Sequence, residues 1–268
     1  MDRCLLKNII IIILVLVNGF LLASLVMRYT ASAQIQRQTE EQLVALFAAD
    51  GMELNADILS QDSPPPVLSL SRDREREQAA AAFFLGSRPT ESGQNGDVVT
   101  YSSDRGAARF HSNGVFDVAG SLADGSVEEL CREFCQAFSC TDPVFDLDAA
   151  GSGSGSAVCL YDGIPVYNAT VTFTLDQDAL LTVSGTLLPE EASTSSSSEL
   201  LSAAAALTTF QQARWESYMV VSAVTDLYPC YELVGSTASA LSLVPVWCVV
   251  TDTGNYYVNC VTGVVTSS

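Results

Sequence analysis

SVEELCREFCQAF at 126–138, followed by PVYNATVTFTL at 165–175, is the passage that decides the fold. In the first segment Val127, Leu130, Cys131, Phe134, Cys135 and Phe138 recur at helical spacing and mark one apolar face. Ser126 stands where an N-cap belongs, and Glu129 three residues on completes a capping-box pattern. In the second segment Val171, Phe173 and Leu175 alternate with threonines, the two-residue period of a half-buried strand. A helix followed by runs of strands predicts an α+β fold, with helices on one face of an antiparallel sheet.

The same grammar extends outward in both directions. Strands are expected at Ala157–Tyr161 and Leu180–Leu188, after a Gly/Ser loop at 151–156. Upstream, Val98–Ser102, Ala107–Ser112 and Val115–Val118 are separated by Asp104-Arg105-Gly106 and by Asn113-Gly114, a strong hairpin signal. Arg72–Leu85 reads as a helix stopped by Gly86, with its interleaved arginines and acids forming a solvated start. Leu200–Trp215 is another helix. Strands then fit Met219–Val224, Cys230–Val234, Leu241–Val250, Tyr256–Val261 and Val264–Thr266. This pattern predicts three helix-plus-sheet modules, at 29–120, 121–190 and 199–268, the last two joined by a Ser-rich linker at 191–198. The first module includes a helix at Gln34–Asp50, capped by Gly51 and continuing outward from whatever precedes it.

What precedes it is IIIIILVLVNGFLLASLVM at 9–27, which carries no charge and no polar stripe. At 1.5 Å per residue it covers roughly 28 Å, about one hydrocarbon core. Residues 9–28 are therefore expected to form a transmembrane helix. Arg3 and Lys7 favour a cytoplasmic tail at 1–8 and an extracytoplasmic body. Ala31-Ser32-Ala33 offers the rival reading of a cleaved signal peptide, against which stand the length of the apolar run and the intervening Arg28 and Tyr29. Within the span, Gly19 and Ala23 share a helix face and Asn18 adds a hydrogen-bonding side chain, a pattern that suits close approach of a partner helix.

The body is acidic. After Tyr29 there are nine arginines, no lysine and thirty carboxylates. Such a surface is repelled by nucleic acid and anionic lipid, and favours solubility, cations or a basic partner. Little in it points to catalysis. His111 is the single histidine, too few for the usual zinc enzyme site. Nucleophile-elbow, phosphate-loop and dinucleotide fingerprints are missing. Asp146 with Asp148, and Glu190 with Glu191, read as solvated loop acids. No cofactor or metal is expected. Seven cysteines follow the span, from Cys131 to Cys260. Buried thiols, one or more disulfides and a thiolate metal site all remain open for them.

With these residues laid out, the chain resembles the YycH/YycI family of two-component regulatory proteins. The start MDRCLLKNIIIIILVLVNGFLLASLVMRY is similar to that family's short basic tail and single anchor. EEQLVALFAADGMELNADIL resembles its juxtamembrane helix, and LVPVWCVVTDTGNYYVNCVTGVV its closing strands. The helix-plus-sheet units also resemble PepSY-type modules. The resemblance implies a non-enzymatic, membrane-anchored accessory protein. Its partners would be a sensor histidine kinase controlling cell-wall metabolism and a paralogous regulatory protein. An alternative expectation is a PepSY-like inhibitor or chaperone of an exported protease.

Overall fold

A computed structural model describes residues 17–18, 38–59, 63–86, 89–122, 126–177, 179–195, 200–235 and 241–267. Of the anticipated span, only Val17 and Asn18 fall among them, both helical. The remainder of that span, with Gly19 and Ala23, lies outside the described residues. No helix among the described residues is long and apolar enough to cross a membrane.

The described chain is α+β, with fifteen strands in a largely antiparallel arrangement. Its larger unit is an antiparallel sheet in the order β7 (Val144–Leu147), β8 (Gly153–Tyr161), β9 (Ile164–Asp176), β10 (Ala179–Thr186), β6 (Val115–Gly120), β5 (Gly106–His111), β4 (Val98–Ser103), β3 (Thr90–Asn95). The expected boundary near residue 120 is crossed by this sheet, because β6 pairs directly with β10. The strands read as a first and a second module are thus one layer. Helices α2 (Arg74–Leu85) and α3 (Val127–Ala137) contribute to one core with it. Phe134 of α3 is fully buried, and its ring centroid lies 4.8 Å from Phe84, 5.5 Å from Phe83, 6.0 Å from Phe173 and 6.3 Å from Phe116. Alternate residues of the strands, such as Val171, Phe173 and Leu175, supply the opposing surface.

Two local readings change. Ser126 is the N-cap of α3 but its side chain makes no cap hydrogen bond, so the capping box does not form. The Gly/Ser segment is strand, not loop: β8 begins at Gly153 and pairs with β7. A Cβ on Gly155 would sit 2.6 Å from the Phe145 ring, so the missing side chain is what lets that ring lie across the sheet.

The smaller unit joins α4 (Ala203–Glu216) to β12 (Ala223–Gly235), β13 (Leu241–Thr251), β14 (Gly254–Asn259) and β15 (Val265–Ser267). The two strands expected between Met219 and Val234 are one long strand, with a register shift between Val224 and Asp226. The helix at 38–49 (α1) packs here and not in the first module: Leu43 and Phe47 share a core with Ala206, Leu207, Phe210 and Trp247. Behind it, β1 (Glu53–Leu54) pairs in parallel with the start of β12. β2 (Leu68–Leu70) pairs with β13, and with β11 (Ala192–Thr194), which occupies the front of the expected linker; residues 196–199 lie outside the described residues.

The units meet along β9 and β12, which share one parallel register point, Val166 opposite Tyr231. Asn168 extends that contact. Its side-chain amide donates to the Leu233 carbonyl at 2.9 Å and accepts from the Leu233 N–H at 2.8 Å, replacing a backbone pair.

Candidate functional site

The arrangement most able to transmit something is the end of α1. Leu43 and Phe47 lie four residues apart on one helix face and are 6% and 0% exposed. At the helix end, the Asp50 carboxylate accepts from the Gln211 side-chain amide and, at 3.3 Å, from the Trp215 indole N–H. Two residues of α4 are thereby held by one carboxylate at the end of α1. Just beyond, the chain breaks helix at Tyr218, which adopts φ 53. Trp215, Tyr218 and Val220 stand exposed at 61%, 90% and 83%. An open groove of about 520 Å³ runs beside α1, lined by Val44, Ala48, Met52, Leu54 and Val224.

A second polar site lies at the start of α2. Asp73 caps the helix, accepting from the Arg76 N–H at 2.9 Å. Arg72 makes a two-pronged pair with Glu77, 2.7 Å from Nε and 3.1 Å from an Nη, and also donates to the carbonyls of Asp97 and Phe110. The Glu77 side chain is only 7% exposed. The arginine set is therefore not a solvated helix start: only Arg74 is well exposed, while Arg72 and Arg76 are drawn inward by strand carbonyls and packing. Arg76 lies over the Phe138 ring at 5.5 Å and reaches Glu190 at 3.8 Å. A cleft of about 20 Å³, room for one water-sized group, opens among Arg72, Arg76, Glu77, His111 and Leu187.

The remaining singled-out residues are dispersed. Asp146 and Asp148 are exposed, and Asp148 accepts the N–H groups of Ala150 and Ser152 in a turn. Glu190 and Glu191 are exposed. Asn18 is exposed and helical, and its proposed companions lie outside the described residues. Among the described residues no group of three or more His, Cys, Asp or Glu is placed to hold a metal ion. The seven cysteines after the span are all free thiols, and six of them are buried. Burial pushes Cys131 and Cys260 up to about 12. Cys230 and Cys248, on β12 and β13, hydrogen-bond to each other, which raises the first and lowers the second. The sequence marks neither Asp50 nor Arg72 as a contact residue: the partners of Asp50 lie 161 and 165 residues away, and the carbonyls that Arg72 reaches lie 25 and 38 away, although its carboxylate partner Glu77 is only five away.

No family model matches the chain, and no curated protein matches it. The likeness to the YycH/YycI family thus remains a resemblance of motifs. Among solved structures, an uncharacterized protein from Eubacterium rectale is similar, with TM-score 0.40 and 10% identity over 77% of this chain and 81% of that one. The C-terminal domain of Bacillus megaterium YpeB gives TM-score 0.34 and 10% identity over 74% of this chain and 98% of that one. Both similarities are too weak to assign a function.

Proposed function

We propose that this chain is a membrane-anchored, non-catalytic regulatory protein that binds a sensor histidine kinase of a cell-wall-controlling two-component system and restrains it. The observation that carries the reading is the seating of α1. In this reading residues 9–28 are the tether, with Asn18, Gly19 and Ala23 toward a partner helix and a paralogous regulator in the same assembly. α1, the first described helix after the tether in sequence, is built into the smaller unit through Leu43, Phe47 and Asp50. A shift of the tether is then delivered to α4 and to the exposed Trp215, Tyr218 and Val220. Trp and Tyr are the side chains most enriched among interface anchors. Regulation is a coupling free energy between the bound states of the kinase, and a preference of about 1.4 kcal/mol shifts their ratio tenfold.

The test is recovery of the full-length protein from gentle detergent, with mass spectrometry of what accompanies it. A histidine kinase is expected, and its absence would sink the reading. Replacing residues 9–27 with an unrelated span is expected to abolish kinase control, whereas an inhibitor of an exported protease would keep its activity. Asp50→Ala, which frees Gln211 and Trp215, is expected to retain the kinase but weaken its restraint, read as phosphorylated response regulator.

A further inference from the structure

Three of the thiols, Cys135, Cys140 and Cys159, meet where α3 ends against β8. Ser139, at φ 57, turns the chain out of the helix, and the Cys140 N–H returns to the Cys135 carbonyl at 2.7 Å. Cys140 then faces Cys159 as a lone antiparallel pair. The flanking hydrogen bonds run from Thr141 N–H to Val158 O at 2.8 Å and from Leu160 N–H to Ser139 O at 2.7 Å. The cysteines themselves therefore occupy the non-hydrogen-bonded register, in which Cα atoms approach to about 4.5 Å. That lies at the short end of the roughly 4.4–6.8 Å range spanned by disulfides. Their sulfurs are 3.9 Å apart.

Access and charge single out one of the three. Cys140 is the one cysteine among the seven that is not buried. Cys140 Sγ lies 3.9 Å from Cys159 Sγ; its side-chain interactions with Cys135 and Cys159, with the Arg76 guanidinium nearby, hold it below the usual thiol range. The same interactions, with burial, push Cys135 and Cys159 up.

We infer that Cys140 and Cys159 form a dithiol–disulfide couple that takes a low-molecular-weight external disulfide as its oxidant, Cys140 attacking and Cys159 resolving. The Cys140 thiolate attacks one sulfur of the external disulfide; that S–S bond breaks and one thiolate leaves with the electron pair. The Cys159 thiol gives its proton to the departed thiolate, and its sulfur displaces the second external thiolate from Cys140; that thiolate takes from solvent the proton Cys140 released on ionising. Two protein thiols are oxidised by two electrons, and one external disulfide is reduced to two thiols. The separation typical of this register falls within the range disulfides span, and closing the bond needs the sulfurs to move from 3.9 Å to about 2.05 Å. The inference stands independently of the regulatory reading, since no contact with a kinase enters it.

The experiment equilibrates the full-length protein in detergent across ratios of oxidised to reduced glutathione. Acid quenching, alkylation of remaining thiols and peptide mass spectrometry follow. The expected result is a single cross-link joining the peptides of Cys140 and Cys159, present in oxidising buffer and lost in reducing buffer. Cys230, Cys248 and Cys260 remain alkylatable after unfolding throughout. In the double variant Cys135→Ser/Cys159→Ser, glutathione is expected to remain on Cys140, with circular dichroism confirming the fold. Cys140 and Cys159 both alkylated at every ratio in the wild-type protein would overturn the couple, whatever the variant does. Glutathione settling on another cysteine of a folded variant would overturn the role of Cys140.

Discussion

The two units of the body are assembled on opposite plans. The larger draws its core from one stretch of chain, Leu68 to Leu188, with only Tyr231, Leu241 and Leu243 added from elsewhere. The smaller draws its core from two stretches, Leu43 to Leu59 and Ala203 to Cys260, which lie on either side of the first in sequence. The larger unit therefore closes through contacts that are local by comparison, whereas the smaller must bring the chain back across the whole length of its neighbour. The segment after residue 37 is therefore a structural part of the unit built by α4 and the last strands, not a detachable stalk. A disturbance at Phe47 should be felt near Trp247, two hundred residues away.

Two aromatic deletions have the largest expected effects, one in each unit. Phe134→Ala, in the larger unit, is expected to cost about 3–5 kcal/mol, because a fully buried ring leaves a cavity its neighbours cannot fill. Phe47→Ala is expected to cost about 3 kcal/mol, at the lower end for the same chemistry. Amide hydrogen exchange separates them. Phe134→Ala should expose residues 68–188, and Phe47→Ala should expose 203–260 while leaving 68–188 protected. Identical exchange footprints would mean the two units unfold as one.

A smaller effect belongs to the larger unit alone. Glu77→Ala leaves the Arg72 guanidinium without its carboxylate. Loss of a fully buried pair costs about 3–5 kcal/mol; Arg72 keeps two carbonyl acceptors and some solvent contact, so about 2 kcal/mol is expected from urea unfolding. The smallest effect belongs to the other unit. Asp252 accepts the N–H groups of Ser222 and Ala223 at 3.0 and 3.2 Å, which holds its carboxyl below the usual range. A lowered folded value means the stabilisation is present above the unfolded value, about pH 4, and fades as pH falls through the folded one. Asp252→Asn should flatten that acid-side slope in the exchange of amides 222 and 223. An unchanged slope would remove Asp252 from the account.

How much of this was legible depended on whether the deciding contact was near in sequence. The apolar face of α3 was readable, because Val127, Cys131, Phe134 and Cys135 repeat within one helix and are buried together. The hairpin at Asn113-Gly114 was readable for the same reason. Gly153 to Ser156 was not: glycine and serine suggest a loop, whereas ladders to β7 on one side and β9 on the other make them a strand, with the Phe145 ring where a side chain on Gly155 would stand. Arg72 looked solvated because its immediate neighbours are charged, while the carbonyls that draw it inward are 25 and 38 residues distant. The meeting of Cys140 with Cys159 rests on a turn at Ser139 that no periodicity announces. Neither partner of Asp50 could be inferred from its surroundings, since each is more than 160 residues away.

That last separation has a bearing on biosynthesis. Asp50 and Gln211 are 161 residues apart, so at about 5–20 residues per second the ribosome makes the first roughly 8–32 s before the second. Throughout that interval Leu43 and Phe47 have no α4 to cover them, while the stretch from Leu68 to Leu188 is free to fold. A nascent chain would carry a finished middle between two unfinished ends. Its greasy leading helix is an opening for a chaperone, or for quality control, until the closing strands emerge.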